Sequence, residues 1–261
     1  MSDYIYIYSN DFFENTTDFN KEQILFSVEF NLPIDSLPNS ITKIEIQNKN
    51  YSYPLNNLPI NLKYLKIHAY NYPHPLNFLP ETLEFLSVGS NITNPLDNLP
   101  NSLKILHING VYSHELNNLP NGLEELQVLE LDPSYSMNNL PNSIKILYVD
   151  HISEFKIEKW PDSLKNLHII NYSHPLDNLP EILELFVGYK YSHQINCIPD
   201  SVEILRFNYD HNTPIYKLPK NIKKICFPNP NRKFVFKCDI DTNILITQNI
   251  NDVKDEMDFF H

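Results

Sequence analysis

Histidine and cysteine are the residues of this 261-residue chain best suited to hold a metal or carry a proton. His74, His114, His174 and His193 share one setting, each just ahead of a recurring aliphatic residue. Imidazole nitrogens can bind a divalent cation or act as acid and base near neutral pH. Only His174 and His193 stand in neighbouring copies of that setting, and common descent of the copies accounts for all four. Cys197, Cys226 and Cys238 are odd in number and show no paired zinc spacing. Four glycines leave no phosphate-cradling loop. No motif sets a nucleophile beside a base and an orienting group. The expectation is a non-enzymatic protein without cofactor or metal.

The elements that position these side chains come from a repeat. A proline-led stretch such as Leu58-Pro59-Ile60-Asn61-Leu62-Lys63-Tyr64-Leu65-Lys66-Ile67 recurs ten times, opened by Pro38, Pro59, Pro80, Pro100, Pro120, Pro141, Pro161, Pro180, Pro199 and Pro219. A fixed period near 20 residues marks a solenoid. Three, six and eight residues after each Pro stands an apolar residue, as in Leu62, Leu65 and Ile67. Four residues before it stands another, as in Leu55. Gly188 breaks the last column because its repeat lacks one residue, and Ile182, Leu185 and Val187 carry the pattern one place early.

The alternation at the end of L-x-x-L-x-I predicts a short strand with two inward side chains. The return path carries a fixed Pro and often a second, among them Pro54, Pro75 and Pro95. Proline removes a backbone donor and disfavours a helix before it. The expected fold is a mainly β, leucine-rich-repeat-like solenoid, a curved rod of parallel strands. Its convex side is extended and non-helical, and its ends are capped.

Residues pointing away from the core would form the concave face. Tyr64, Phe85 and Ile105 fall in three consecutive repeats and are expected to make an exposed apolar stripe, continued by Ile146 and Ile204. The next outward column holds His107, Tyr148, His168, Phe186 and Arg206. His107 and His168 are three repeats apart, about 14 Å at the parallel-strand spacing, too far to share one metal ion. These ten residues are the expected contacts for a protein partner. An Asn recurs before the Leu-Pro pair at Asn57, Asn98, Asn118, Asn139 and Asn178, expected to bond turn backbone as a structural ladder.

Leu99-Pro100-Asn101-Ser102-Leu103-Lys104-Ile105-Leu106 and Phe30-Asn31-Leu32-Pro33-Ile34 carry a family resemblance. Together they resemble the two elements of the FNIP repeat, a leucine-rich-repeat-like family of slime moulds and giant amoebal viruses. Tyr172-Ser173-His174-Pro175-Leu176 is a drifted copy of the second element. The resemblance spans roughly residues 30–228 and implies a binding solenoid. Members of that family often carry an N-terminal F-box, which implies a ubiquitin-ligase substrate adaptor as the alternative; residues 1–33 show no F-box motif. A further alternative is a structural or self-assembling, particle-associated protein.

Composition narrows the partner. A net charge of −12 excludes the basic footprint of a nucleic-acid binder. Lys217, Lys220, Lys223 and Lys224 form the densest basic group and read as a solvated face. No apolar stretch approaches a membrane span, and the first residues lack a signal core. A cytoplasmic protein is expected, in the host cytoplasm if viral, with a composition suited to an AT-rich amoebal or viral genome. Asn15, Asn91 and Asn171 sit in N-x-[ST] triplets that an Asn-rich chain produces by chance. Residues 1–33 are read as an N-terminal cap, 34–228 as the ten repeats, and 229–261 as a C-terminal cap and acidic tail.

Overall fold

The structure is a computed structural model that describes residues 4–7, 22–151, 156–188, 191, 193–195, 197–208, 214–227, 236–238 and 243–247. The chain divides into two compact units, Met1–Pro141 and Asn142–His261. Their described elements are strands only, with no helix among them.

The first unit stacks seven strands in chain order: β1 Tyr4–Ile7, β2 Gln23–Phe26, β3 Lys43–Ile46, β4 Tyr64–Ile67, β5 Phe85–Val88, β6 Ile105–Tyr112 and β7 Glu125–Leu131. Each pairs with the next in parallel and in register, so Lys43, Tyr64, Phe85, Ile105 and Glu125 form one row across the sheet. The second unit stacks β8 Ile146–Val149, β9 Asn166–Ile169, β10 Glu184–Val187, β11 Ile204–Phe207, β12 Lys224–Cys226 and β13 Leu245–Thr247 in the same way. In both units one strand per repeat builds a β-solenoid, as the period requires.

Inward side chains make the core. Leu62, Leu65, Leu83, Leu86, Leu103 and Leu106 are wholly buried, and their equivalents in the second unit match them except Ile222, which is half-buried. Each such side chain contributes about 1.5–3 kcal/mol on leaving water. Because neighbouring repeats share that burial, no repeat completes its core alone.

The return path is set by the repeat proline. Its carbonyl accepts the N–H three residues on, as in Leu62 to Pro59 at 3.0 Å and Leu83 to Pro80 at 3.0 Å. This tight turn delivers the chain to the strand. There one carbonyl of the preceding repeat receives two successive amides: Lys63 O takes Glu84 N and Phe85 N, both at 2.9 Å. The shortened repeat differs only in its turn. Ile182 N reaches Pro180 O, two residues back, at 2.8 Å, and β10 stays in register with both neighbours.

Leu129-Glu130-Leu131 extends β7 alongside β6, past a bulge between Ile108 and Val111. The Asn ladder bonds side chains rather than turn backbone. Asn98 Nδ2 donates to Asn77 Oδ1 at 3.3 Å, Asn118 to Asp97 at 3.1 Å and Asn139 to Asn117 at 2.8 Å, each one repeat back. The cap strand β2 carries the same alternation as the repeats, with Ile24 and Phe26 buried, so the ladder begins before the first repeat proline. Residues 8–21 of the N-terminal cap lie outside the described residues, as does the acidic tail from Asn251. Of the region read as the C-terminal cap and tail, 236–238 and 243–247 are described.

Candidate protein-binding face

The outward side chains of β3 to β7 touch one another across five strands. The Lys43 ammonium lies 4.1 Å from the Tyr64 ring centre. Tyr64 and Phe85 stack face to face, centroids 4.2 Å apart and planes 4° apart. Parallel strands about 4.8 Å apart leave in-register rings room for little else. Phe85 meets His107 edge to face at 5.2 Å. His107 Nε2 lies 2.8 Å from Glu125 Oε1. The chain of contacts therefore runs from a cation, through two standing rings, to an imidazole of the neighbouring column and a carboxylate. Tyr64, Phe85 and Ile105 are half-buried rather than exposed, because each ring shields its neighbour.

A polar chain runs beneath. Gln127 Nε2 donates to Asn109 Oδ1 at 2.9 Å, and Asn109 Nδ2 to Ser87 Oγ at 2.9 Å. Ser87 and Gln127 are 1% exposed although they lie on the outward side, so this network ties strands together and is closed to a partner. At the edge of the same face His68 Nε2 lies 3.1 Å from Glu45 Oε1. The hydrogen bond from His68 holds the Glu45 carboxyl below its usual range, against the opposing effect of burial.

In the second unit, Tyr148 and His168 pack at 4.3 Å and His168 and Phe186 at 5.8 Å. His168 and Phe186 are each 5% exposed, which leaves Tyr148, Ile146, Ile204 and Arg206 as the half-buried members of this expected set. Arg206 Nε pairs with Glu184 Oε1, and its Nη1 lies 4.0 Å from Cys226 Sγ. His107 belongs to the first unit and His168 to the second.

Three of the other four histidines have a task in the backbone, whereas the Nε2 of the fourth, His174, is buried with no hydrogen-bond partner among the described residues. His74 Nε2 lies 2.7 Å from Ser52 O, His114 Nε2 3.1 Å from Thr93 O and His193 Nε2 2.6 Å from Ser173 O, always one repeat back. Each imidazole also meets, edge to face, the tyrosine two residues before it: Tyr72, Tyr112, Tyr172 and Tyr191. Sequence reasoning missed these tyrosines. Their hydroxyls serve buried backbone: Tyr112, Tyr172 and Tyr191 accept the amides of Leu96, Ile157 and Leu176, and Tyr72 donates to Tyr53 O. The signal was present as a tyrosine four residues before the recurring aliphatic. Burial pushes the Tyr112 and Tyr191 phenols up to about 12 and raises Tyr51, Tyr72 and Tyr172 as well.

Among the described residues no group of three His, Cys, Asp or Glu stands close enough to hold a metal ion. No described helix is long and apolar enough to cross a membrane. Asn171, in one of the N-x-[ST] triplets, is buried and donates to Asp150 Oδ1 at 2.5 Å. Of the basic group, Lys220 pairs with Asp200 at 2.6 Å and Lys223 with Glu203 at 2.7 Å.

Comparison with curated proteins finds no match. Among solved structures the chain is similar to YopM from Yersinia enterocolitica WA-314, at 18% identity and a TM-score of 0.42, over 88% of this chain and 67% of that one. A family model for the FNIP repeat matches residues 30–69 and 191–230, one stretch in each unit. At those two places the parallel ladder described above is similar to the FNIP repeat.

Proposed function

We propose that this chain is a non-enzymatic protein-interaction module that receives a protein partner on the outward strand face of its first unit. One observation carries the reading: the unbroken chain of contacts Lys43, Tyr64, Phe85, His107 and Glu125 across five adjacent strands, with His107 reaching in from the neighbouring column. Side chains that only filled space between strands would have no reason to combine stacked rings with a cation at one end and a carboxylate at the other. Aromatic rings held upright by their neighbours lose little freedom on contact, a property of binding hot spots. The FNIP repeats at 30–69 and 191–230 support the same reading, since repeat solenoids present variable side chains on a constant core.

The test is an affinity capture with quantitative mass spectrometry, wild type against a Tyr64→Glu/Ile105→Glu variant, with circular dichroism and thermal melting to confirm the fold. Partners lost only with the variant support the face. Identical recovery from both proteins sinks it.

A further inference from the structure

The charge of the chain is concentrated in the unit that bears this face. Residues 1–141 carry sixteen Asp and Glu against six Lys, a net of −10, whereas residues 142–261 carry sixteen against fourteen, a net of −2. On the face itself the two ends differ in sign. Lys43 on β3 and Lys66 on β4 outnumber the one carboxylate there, Glu45, which lies beside Lys66 and His68, whereas Glu125 stands on β7. His107 occupies one oxygen of Glu125, and among the described residues Oε2 makes no hydrogen bond. The carboxylate is largely screened, 18% exposed, so a charge brought to it meets less solvent than at an open surface. Between the tall Phe85 ring and Glu125, in the same row, sits the shorter Ile105. The surface steps down there, between an aromatic edge and a carboxylate.

From this arrangement we infer that the partner is a basic peptide segment whose arginine or lysine lies along Ile105 and ends on Glu125. The inference rests on the face being the docking surface proposed above. A long cationic side chain suits the step because its stem is apolar and its head is charged. The head meets Glu125 Oε2, and a flexible stem covers Ile105 beside Phe85. An apolar residue of the same segment lies over the edges of Tyr64 and Phe85. Phe85 and Glu125 are two strand steps apart, roughly 10 Å, which an extended chain covers in about three residues. Lys43, at the far end of the row from Glu125, repels a cation there, while Lys66 is offset by the neighbouring Glu45, so the segment binds in one direction. The net charge of the unit draws basic segments in and speeds encounter.

The experiment uses the full chain, immobilised, and a phage-displayed library of random peptides, followed by affinity measurement of the enriched sequences. The expected result is enrichment of peptides with Arg or Lys about three residues from an apolar residue. Their affinity falls at least about tenfold on Glu125→Lys, as like charges brought together require, falls less on the near-isosteric Glu125→Gln, and declines with salt. Basic peptides that bind Glu125→Gln as tightly as wild type reveal general charge attraction only and overturn the inference. Enriched peptides that are acidic or uncharged, yet lost on Tyr64→Glu/Ile105→Glu, overturn it while leaving the docking face standing. No enrichment at all removes both.

Discussion

The Tyr112 hydroxyl oxygen accepts the backbone amide of Leu96, sixteen residues earlier in the chain, at 2.9 Å in a buried site. The same bond recurs from Ile157 to Tyr172 and from Leu176 to Tyr191. Each ties the return path of one repeat to the repeat that follows. Buried amides without an acceptor are costly, so the tyrosine does for the non-helical return path what ladder bonding does for the strands.

Tyr112→Phe keeps the ring and removes only the acceptor. The stranded Leu96 amide should cost about 1–3 kcal/mol, read as a lower urea midpoint. A variant with an unchanged midpoint would show that the hydroxyl contributes nothing and that ring packing alone holds the return path.

The same phenols set an alkaline limit. A buried tyrosine whose folded value is raised binds its proton more firmly folded than unfolded. The stability it contributes is fully present below about pH 10, the ordinary phenol value. It declines as pH rises through that value towards about 12, where burial has pushed Tyr112 and Tyr191. Phenolate absorbance of these rings should therefore appear together with loss of the circular dichroism of the fold. Ionisation of every tyrosine before any structural change would contradict this.

At the acid end, Glu45 works in the opposite sense. Its folded value is depressed by His68, so its contribution is present above the ordinary carboxylate value and is lost as pH falls through the lower, folded one. Wild type and Glu45→Gln should differ in stability at pH 6 to 7, on the order of neutral conditions, and converge below the usual carboxylate range near 4.3. A constant difference at all pH values would remove the His68–Glu45 pair as its source.

Two glycines offer a paired test of packing. A Cβ at Gly188 would lie 2.0 Å from Ile170 O, a fixed backbone atom, whereas one at Gly122 would lie 3.3 Å from the mobile end of Lys104. Gly188→Ala should destabilise by about 1–3 kcal/mol or prevent folding, and Gly122→Ala should be close to neutral. Equal melting temperatures for the two would refute the close approach at Gly188.

The strand positions could be read from the sequence because burial imposes one residue type on each inward column. Leu65, Leu86, Leu106 and Leu126 announce themselves by spacing alone, and so does the displaced set Ile182, Leu185 and Val187. The outward row was legible in position but not in state. Tyr64 and Phe85 were expected to be exposed, and stacking at 4.2 Å half-buries them. The His107–Glu125 pair was not legible, because it joins different columns of adjacent repeats and spacing within one column carries no trace of it. The Asn ladder was found but given the wrong partners, since the acceptors Asp97 and Asn77 stand one place out of column with their donors. The tyrosines were not legible because they stand in the return path, where no strand or helix period marks which side chains turn inward.

The shortened turn at Pro180 bears on how such a chain can change over generations. A residue is missing there, yet Glu184 still faces Asn166 on one side and Ile204 on the other. Copying errors that add or drop a residue in this bend leave the order of side chains on the adjoining strands intact. Length and surface message can drift separately, so a gene of this type can be stretched, trimmed or duplicated while what it displays is selected one side chain at a time.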